Sequence, residues 1–274
     1  MNIEIMSGAG NIFSVIDNRL ENKPIEWFIN NIEILTKLPD QVCEGVMIIN
    51  ESKEHEFDVW FLNPDGSTGM MCGNGGRCAV EFAFRNKFIE SKSFISFQMA
   101  GNIYNANILD DLVELYLPAP IQTEFNKKII NKQIKYNGDY INVGSDHFVI
   151  NYTESYFSNF DFYSDEIVHI SSELRYNEEF PRGANINYYK KNDGYYDIRT
   201  YERGVEAITG ACGTGACSTA LSINNINPMI NPVKLLPPSG EMLTVEIIFD
   251  KNDKVKNFKL IGPAKKIDSF TIEI

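Results

Sequence analysis

The sequence predicts an α+β fold in which one arrangement of strands and helices is laid down twice, and three observations lead there. The segments MCGNGGRC (71–78) and ACGTGAC (211–217) each carry a cysteine followed by two spaced glycines, and Cys72 and Cys212 stand 140 positions apart in a chain of 274 residues. GAGNIFSVID (8–17) resembles NVGSDHFVIN (142–151), so a glycine-turned strand opens each half. Asn63 in FLNPDGS and Arg203 in TYERGVE each lie nine positions ahead of their cysteine. Self-similarity at close to half the chain length marks a duplicated unit, and it predicts one thiol from each half meeting in a shared cleft.

Taken in order, the β-rich runs 2–6 and 12–17 flank the GAG turn and predict two strands. Apolar residues at helical spacing predict a helix over 25–38. Strands are predicted over 46–50 and 56–62, and turn residues ahead of 74–88 predict a helix there. Strands over 94–99 and 113–117 follow. Pro118, Pro120 and the polar, lysine-rich run to Asn137 predict the crossing between halves, giving a first half of 1–125 that carries Cys72 and a second of 126–263 that carries Cys212. The second half repeats the order, with a strand in 142–151, a helix over 161–176, strands over 186–190 and 195–201, a helix over 214–225, and strands over 242–249 and 258–261. The closing segment 264–274 is expected to return to the first half. Short strands outnumber helices, so the sheet is antiparallel or mixed.

Composition narrows the function. With 43% apolar residues the chain can bury a substantial core, and a net charge of −12 disfavours attraction to nucleic acid or to anionic membrane surfaces. No basic N-terminal region with a long apolar stretch and no 18-residue apolar run occurs, so a cytoplasmic protein is expected. Five cysteines, an odd number, argue against a disulfide framework and for reduced thiols. No metal is expected, because there is no Cys-x-x-Cys pair and the histidines His55, His147 and His169 are scattered. GAGNIF is not read as a dinucleotide loop, since the β-branched IFSVID that follows is a strand and not a helix. GACGTGACST lacks the Gly-Lys-Ser/Thr ending of a phosphate-binding loop, and it has Thr214 where a nucleophile elbow has its serine.

What remains is a cysteine at the mouth of each of two helices. A thiol there meets the positive end of the helix dipole and several backbone N–H groups, which favour the thiolate. A single such cysteine is more often a small buried residue, and that reading is kept for Cys78 and Cys217, which lie inside their helices. Gly73, Gly75, Gly213 and Gly215 leave the first-turn amides unshielded, so two such helix starts would grip a carboxylate from both sides. Its α-carbon would then lie between two sulfurs, one removing the α-proton while the other delivers a proton to the opposite face. No pyridoxal is required. Asn63 and Arg203 are expected at equivalent points of the cleft, with Glu202 beside Arg203. Arginine holds a second carboxylate and glutamate an ammonium, which suits a substrate with an amino-acid group at its far end.

At these residues the chain resembles the diaminopimelate epimerase family. The matching segments are SGAGN with Phe13, NPDGS then MCGNGGRC, NVGSDH, PRGANIN, ERGV then ACGTGAC, and the closing PPSGEMLTVEI and IGPAKKI, in family order over nearly the whole chain. The resemblance implies two pseudosymmetric α/β domains, each wrapping strands around a central helix. It also implies cofactor-independent interconversion of L,L- and meso-diaminopimelate, a small amino-acid substrate, and a homodimer. Residue by residue, it implies Cys72 and Cys212 as the acid–base pair and Asn11, Asn63, Asn185, Glu202 and Arg203 as substrate contacts. Gly73, Asn74, Gly213 and Thr214 would form the carboxylate-binding helix starts, and His147 with Glu202 would tune the cysteines. Three departures stand out: Ile12 replaces an acidic residue, Ser145-Asp146 replaces Asn-Pro, and an acidic residue is missing from AITG (207–210). Ser145 thereby replaces a substrate contact. The competing readings are a two-thiol racemase for another amino acid such as proline, a phenazine-biosynthesis-like protein, whose group lacks the cysteine pair, and a redox sensor that closes a reversible disulfide. The distal charges of Glu202 and Arg203 argue against proline, which has nothing to pair with them.

Overall fold

In the computed structural model, which describes residues 1–38, 41–69 and 71–273, the chain opens with an antiparallel hairpin of β1 (Asn2–Gly8) and β2 (Asn11–Asp17). It turns through Ala9 and Gly10 at φ 55 and 92, the left-handed pair that a two-residue hairpin loop demands. Helices α1 (Asn18–Glu21), α2 (Ile25–Asn30) and α3 (Ile32–Thr36), then the short strands β3 (Lys37–Leu38) and β4 (Gln41–Val42), lead to β5 (Gly45–Asn50), parallel to β2. The single helix expected over 25–38 is thus broken. Asn31 leaves helical geometry at φ −110 and turns its amide back onto the Trp27 carbonyl at 2.8 Å, the local competition that asparagine brings to a helix interior.

Next come β6 (Phe57–Leu62), helix α4 (Gly73–Arg85) and the strands β7 (Ile95–Met99), β8 (Asn102–Leu109) and β9 (Leu112–Pro118). β6 pairs antiparallel with β5 and parallel with β7, and β7, β8 and β9 form a meander. The stretch expected as a linker is instead a hairpin of β10 (Gln122–Asn131) and β11 (Ile134–Asn142), turning at Lys132 and Gln133 with positive φ. β10 is exposed on both faces with only Ile129 buried, so it carries none of the apolar alternation by which a strand announces itself.

The remaining elements are β12 (Asp146–Asn151), the 3-10 turns η1 (Tyr152–Glu154) and η2 (Tyr156–Asn159), α5 (Asp165–Leu174), β13 (Asn185–Lys191), β14 (Tyr196–Glu202), β15 (Ala207–Ile208), α6 (Gly213–Ile226), β16 (Val233–Leu236), β17 (Leu243–Phe249), β18 (Val255–Pro263) and β19 (Lys265–Thr271). The chain divides into two compact units, Met1–Tyr116 with Ile261–Ile274, and Leu117–Leu260. The crossing lies ahead of the expected residue 125, because β10 belongs to the second unit's sheet.

One pairing scheme occurs in both units. In the first, β19 pairs antiparallel with β1, β1 with β2, β2 runs parallel to β5, β5 antiparallel to β6, and β6 parallel to β7 after α4. In the second, β10 pairs antiparallel with β11, β11 with β12, β12 runs parallel to β13, β13 antiparallel to β14, and β14 parallel to β16 after α6. β19 therefore does in the first unit what β10 does in the second. Each unit wraps its strands on a buried helix: α4 buries every residue from Gly73 to Val80, and α6 buries eleven of its fourteen. A separate apolar cluster in each unit packs the outer helices, Phe28 and Leu35 against Ile3, Ile16 and Ile48 in the first, and Ile167 and Leu174 with Phe148, Ile186 and Tyr188 in the second. Burying a side chain such as Phe28 contributes roughly 1.5–3 kcal/mol. Among the described residues no helix is long and apolar enough to cross a membrane.

Candidate active site

Both helix starts have the same geometry. Cys72 and Cys212 are the N-caps of α4 and α6, with φ/ψ of −114/109 and −124/115, and each Sγ accepts from the N–H three residues on, Gly75 or Gly215, at 3.4 Å. This place normally belongs to Ser, Thr, Asp or Asn. Sulfur is a weak acceptor as a thiol and a good one as a thiolate, so the cap and the helix dipole both favour ionisation. First-turn N–H groups have no acceptor within their own helix, which leaves the Gly73–Gly75 and Gly213–Gly215 segments suited to an anion.

The two capping glycines fix the correspondence between units. A Cβ on Gly75 would come within 1.7 Å of the Met47 methyl, and one on Gly215 within 2.6 Å of Asn187 Oδ1 and 2.9 Å of Thr200 Oγ1. Met47 pairs with Phe61 across β5 and β6, and Asn187 with Thr200 across β13 and β14. Met47 and Asn187 are therefore counterparts, as are Phe61 and Thr200. Two residues on, Asn63 falls level with Glu202. The equal nine-residue spacing thus misaligns the halves by one: the counterpart of Asn63 is Glu202, not Arg203, because the second unit's loop to its cysteine is one residue longer. By the same registers Phe13 (opposite Gly45) corresponds to His147 (opposite Asn185).

In the second unit Glu202 ends β14, accepts a hydrogen bond from Thr209 and bonds to Cys212. Burial pushes its carboxyl up, against those two hydrogen bonds. Burial also raises the Cys212 thiol well above its usual value, and the Glu202 charge raises it further, while the Gly215 N–H and the Thr214 hydroxyl oppose. His147 is fully buried and does not touch Cys212 directly. Its Nε2 lies 2.8 Å from Ser145 Oγ and 2.9 Å from Thr214 Oγ1, and Thr214 Oγ1 lies 3.6 Å from Cys212 Sγ. Burial drives the imidazole down to about 3, so it is neutral at physiological pH.

Arg203 is held from behind. Its backbone N–H donates to Asn185 Oδ1 at 2.8 Å, Asn185 Nδ2 donates to the Asp146 carbonyl at 2.8 Å, and Arg203 Nη1 donates to the Arg182 carbonyl at 3.0 Å. The Asp146 carboxylate binds Arg182 through two nitrogens at 2.8 and 3.1 Å, accepts from Tyr140 and Asn142, and lies 3.8 Å from Arg203. Burial acts to raise Asp146, but the hydrogen bonds from Arg182 and Tyr140 prevail and hold it below the usual carboxylate range.

In the first unit Asn11 is buried, its Nδ2 donates to Glu44 Oε2 at 2.5 Å, and its Oδ1 has no partner among the described residues. Asn63 Nδ2 donates to Ser67 Oγ at 2.9 Å, and Asn74 Oδ1 accepts from the fully buried Arg77 at 2.9 Å. Sequence reasoning missed Glu44, Arg77, Asp146, Asn187 and Thr200. Arg77 lay inside the first cysteine motif. Glu44 gave no signal of its own; its N–H donates to Ile12 O at 2.7 Å, which brings a carboxylate beside Asn11 where Ile12 supplies none. Among the described residues no group of three or more His, Cys, Asp or Glu side chains is arranged to hold a metal ion.

Residues 3–115 match the profile of the family described as diaminopimelate epimerase. A diaminopimelate epimerase of Hydrogenobaculum sp. is 36% identical over 273 residues, which cover 95% of this chain and 94% of that one. The chain belongs to the diaminopimelate epimerase family. Its fold is shared with a phenazine biosynthesis protein of the PhzF family from Bacillus anthracis (TM-score 0.76, 11% identity, covering 100% of this chain and 99% of that one). It is also shared with a probable proline racemase from Agrobacterium radiobacter (TM-score 0.72, 14% identity, covering 100% and 93%). In the segment 207–210, Thr209 directly follows β15 and its hydroxyl donates to Glu202.

Proposed function

We propose that this chain is a cofactor-independent epimerase interconverting L,L- and meso-diaminopimelate, with Cys72 and Cys212 as its two proton carriers. The observation that carries the reading is the identical capping geometry of the two sulfurs on glycine-rich helix starts. On this reading the α-carboxylate has to take the first-turn N–H groups of Gly73, Asn74, Gly213 and Thr214, those of Gly75 and Gly215 being turned onto the sulfurs, and each sulfur has to serve one face of the α-carbon. One thiolate removes the α-proton and the electron pair moves into the carboxylate, where the N–H groups stabilise the added charge. The other sulfur, arriving as a thiol, protonates the opposite face. The reverse direction exchanges the two roles.

Burial, and after it the Glu202 charge, favour the protonated form of Cys212, which suits the sulfur that arrives as acid. At the far end of the substrate Arg203 takes the second carboxylate and Glu202 the ammonium, with Asn11, Asn63, Asn74 and Asn185 completing the hydrogen bonds. His147, neutral throughout the working range, acts through Thr214 rather than as a base. A cytoplasmic setting is part of this proposal, supported by an odd number of cysteines, five, and a homodimer by resemblance to the family.

The deciding experiment is incubation of reduced protein with L,L-diaminopimelate in deuterated water. Deuterium entry at the α-carbon with formation of the meso isomer, in the absence of pyridoxal phosphate and metal, is the expected result. A strict need for either cofactor would sink the reading. The Asp146 carboxylate 3.8 Å from Arg203 favours one alternative, a racemase for another amino acid in which Arg203 is already occupied. Turnover of lysine as fast as diaminopimelate would give that alternative the lead.

A further inference from the structure

Beneath Cys212 lies a file of buried polar side chains with no counterpart in the first unit. At the positions of Phe13, Met47 and Phe61 the second unit has His147, Asn187 and Thr200, all but fully buried. The first-unit trio is plain apolar packing, with the Phe13 and Phe61 rings edge to face at 6.3 Å. Buried polar groups cost stability unless they are fully hydrogen-bonded, so three together in place of two aromatics and a methionine call for a reason.

The bonds run in one direction. Thr200 Oγ1 donates to Asn187 Oδ1 at 2.7 Å, which turns the Asn187 amide nitrogen towards His147. That nitrogen can only donate, and it lies 2.9 Å from His147 Nδ1, so Nδ1 is the acceptor and the ring hydrogen resides on Nε2. Nε2 faces Ser145 Oγ at 2.8 Å and Thr214 Oγ1 at 2.9 Å, and those two oxygens are 3.1 Å apart. With Nε2–H donating to Ser145 and the Ser145 hydroxyl donating to Thr214, the Thr214 hydrogen is left to point at Cys212 Sγ, 3.6 Å away. We propose that Asn187 and Thr200 are positioning residues which, by fixing the Nε2–H form of His147, order a chain of donors ending on the Cys212 sulfur. The assignment rests on the epimerase reading for its purpose.

That purpose is set by the charge beside the sulfur. Whenever Cys212 gives up its proton, a thiolate forms in a shielded place next to the Glu202 carboxylate, with the Gly215 N–H as one donor. The Thr214 hydroxyl supplies another, and the chain behind it prevents that hydroxyl from turning away. Burial keeps the His147 ring neutral, and the charged groups that face the chain, Asp146 and Arg203, act on it in opposite senses, so with Nδ1 accepting from Asn187 the ring donates through Nε2 only.

The test uses the full chain with nitrogen-15-labelled histidine, whose three residues make assignment direct. The His147 ring should show its hydrogen on Nε2 and remain neutral to below pH 5. Asn187→Leu should lose that tautomer preference, and kcat should fall about 10- to 100-fold, the span one hydrogen bond to an ionised group is worth, with KM for diaminopimelate unchanged within about threefold. Thr200→Val, nearly the same shape, should show a smaller fall of the same kind, and it replaces Asn187→Leu if that variant does not fold. A His147 hydrogen on Nδ1, or a folded variant keeping kcat within about twofold, overturns the assignment. If the unaltered protein shows the Nε2–H form but does not epimerise diaminopimelate, the functional reading fails while the ordered chain stands.

Discussion

Glu202 occupies in the second unit the position that Asn63 occupies in the first, so two cysteines on one scaffold sit in unlike electrostatic settings. A carboxylate stands beside Cys212; a neutral amide, Asn63, directly follows the corresponding strand, which ends at Leu62. The thiol of Cys212 is raised first by burial and then by Glu202. Glu202→Gln removes the second contribution, so the Cys212 thiolate should form at lower pH. Alkylation rates followed against pH and assigned to Cys212 by peptide mass spectrometry should shift to the acid side. An unmoved profile would remove Glu202 from this role.

Cys72→Ala and Cys212→Ala should each abolish inversion, because each face of the α-carbon needs its own proton carrier. Cys78 and Cys217, fully buried inside their helices, should tolerate alanine at a stability cost of about 1 kcal/mol with turnover kept. Circular dichroism melts and deuterium exchange at the α-carbon measure the two effects separately.

Gly215→Ala should be worse than Gly75→Ala. The new methyl at 215 meets Asn187 and Thr200, which are hydrogen-bonded to each other, whereas at 75 it meets the end of the flexible Met47. Overpacking of this kind costs about 1–3 kcal/mol. The ranking is read from denaturant midpoints and from kcat, and equal losses at both glycines would contradict it.

Arg203→Ala should lower kcat/KM for diaminopimelate by about 2–3 kcal/mol in activation terms, the lower part of the range for a charge pair because the side chain is 34% exposed. Arg203→Lys should remain impaired, since an ammonium cannot reproduce the bidentate fork. Steady-state kinetics on both variants, with lysine as the comparison substrate, provide the check.

His147 has a folded-state value depressed to about 3, against an unfolded value near 6.5. Below pH 6.5 the unfolded chain binds a proton that the folded protein refuses, so stability present at neutral pH is lost as pH falls. Between pH 7 and 5 this amounts to about 2 kcal/mol. Urea midpoints should drop accordingly in the unaltered protein and stay flatter in His147→Gln; parallel curves would show that another group carries the acid sensitivity.

The features that sequence made legible were those that repeat or that bear on helix starts. Cys72 and Cys212 could be found because a helix start exposing its amides needs glycines at fixed offsets, and these survive in the letters. β10 could not, since both its faces are exposed and nothing alternates. Equal spacing matches Asn63 to Arg203 and not to Glu202, because spacing counts residues while strands are matched by register. Asn187 and Thr200 lie in strand runs where a polar residue looks like surface, and only the glycine pressed against them reveals a buried role.

The pairing of β19 with β1 also sets an order of events during synthesis. The strands of the second unit are all encoded by residue 263, whereas the first unit lacks a strand until residue 271. The half made first is therefore the half completed last. Until then β1 presents an open edge on which a nascent neighbour could pair, and a released chain truncated after residue 264 should leave the leading half sensitive to protease while the trailing half is resistant.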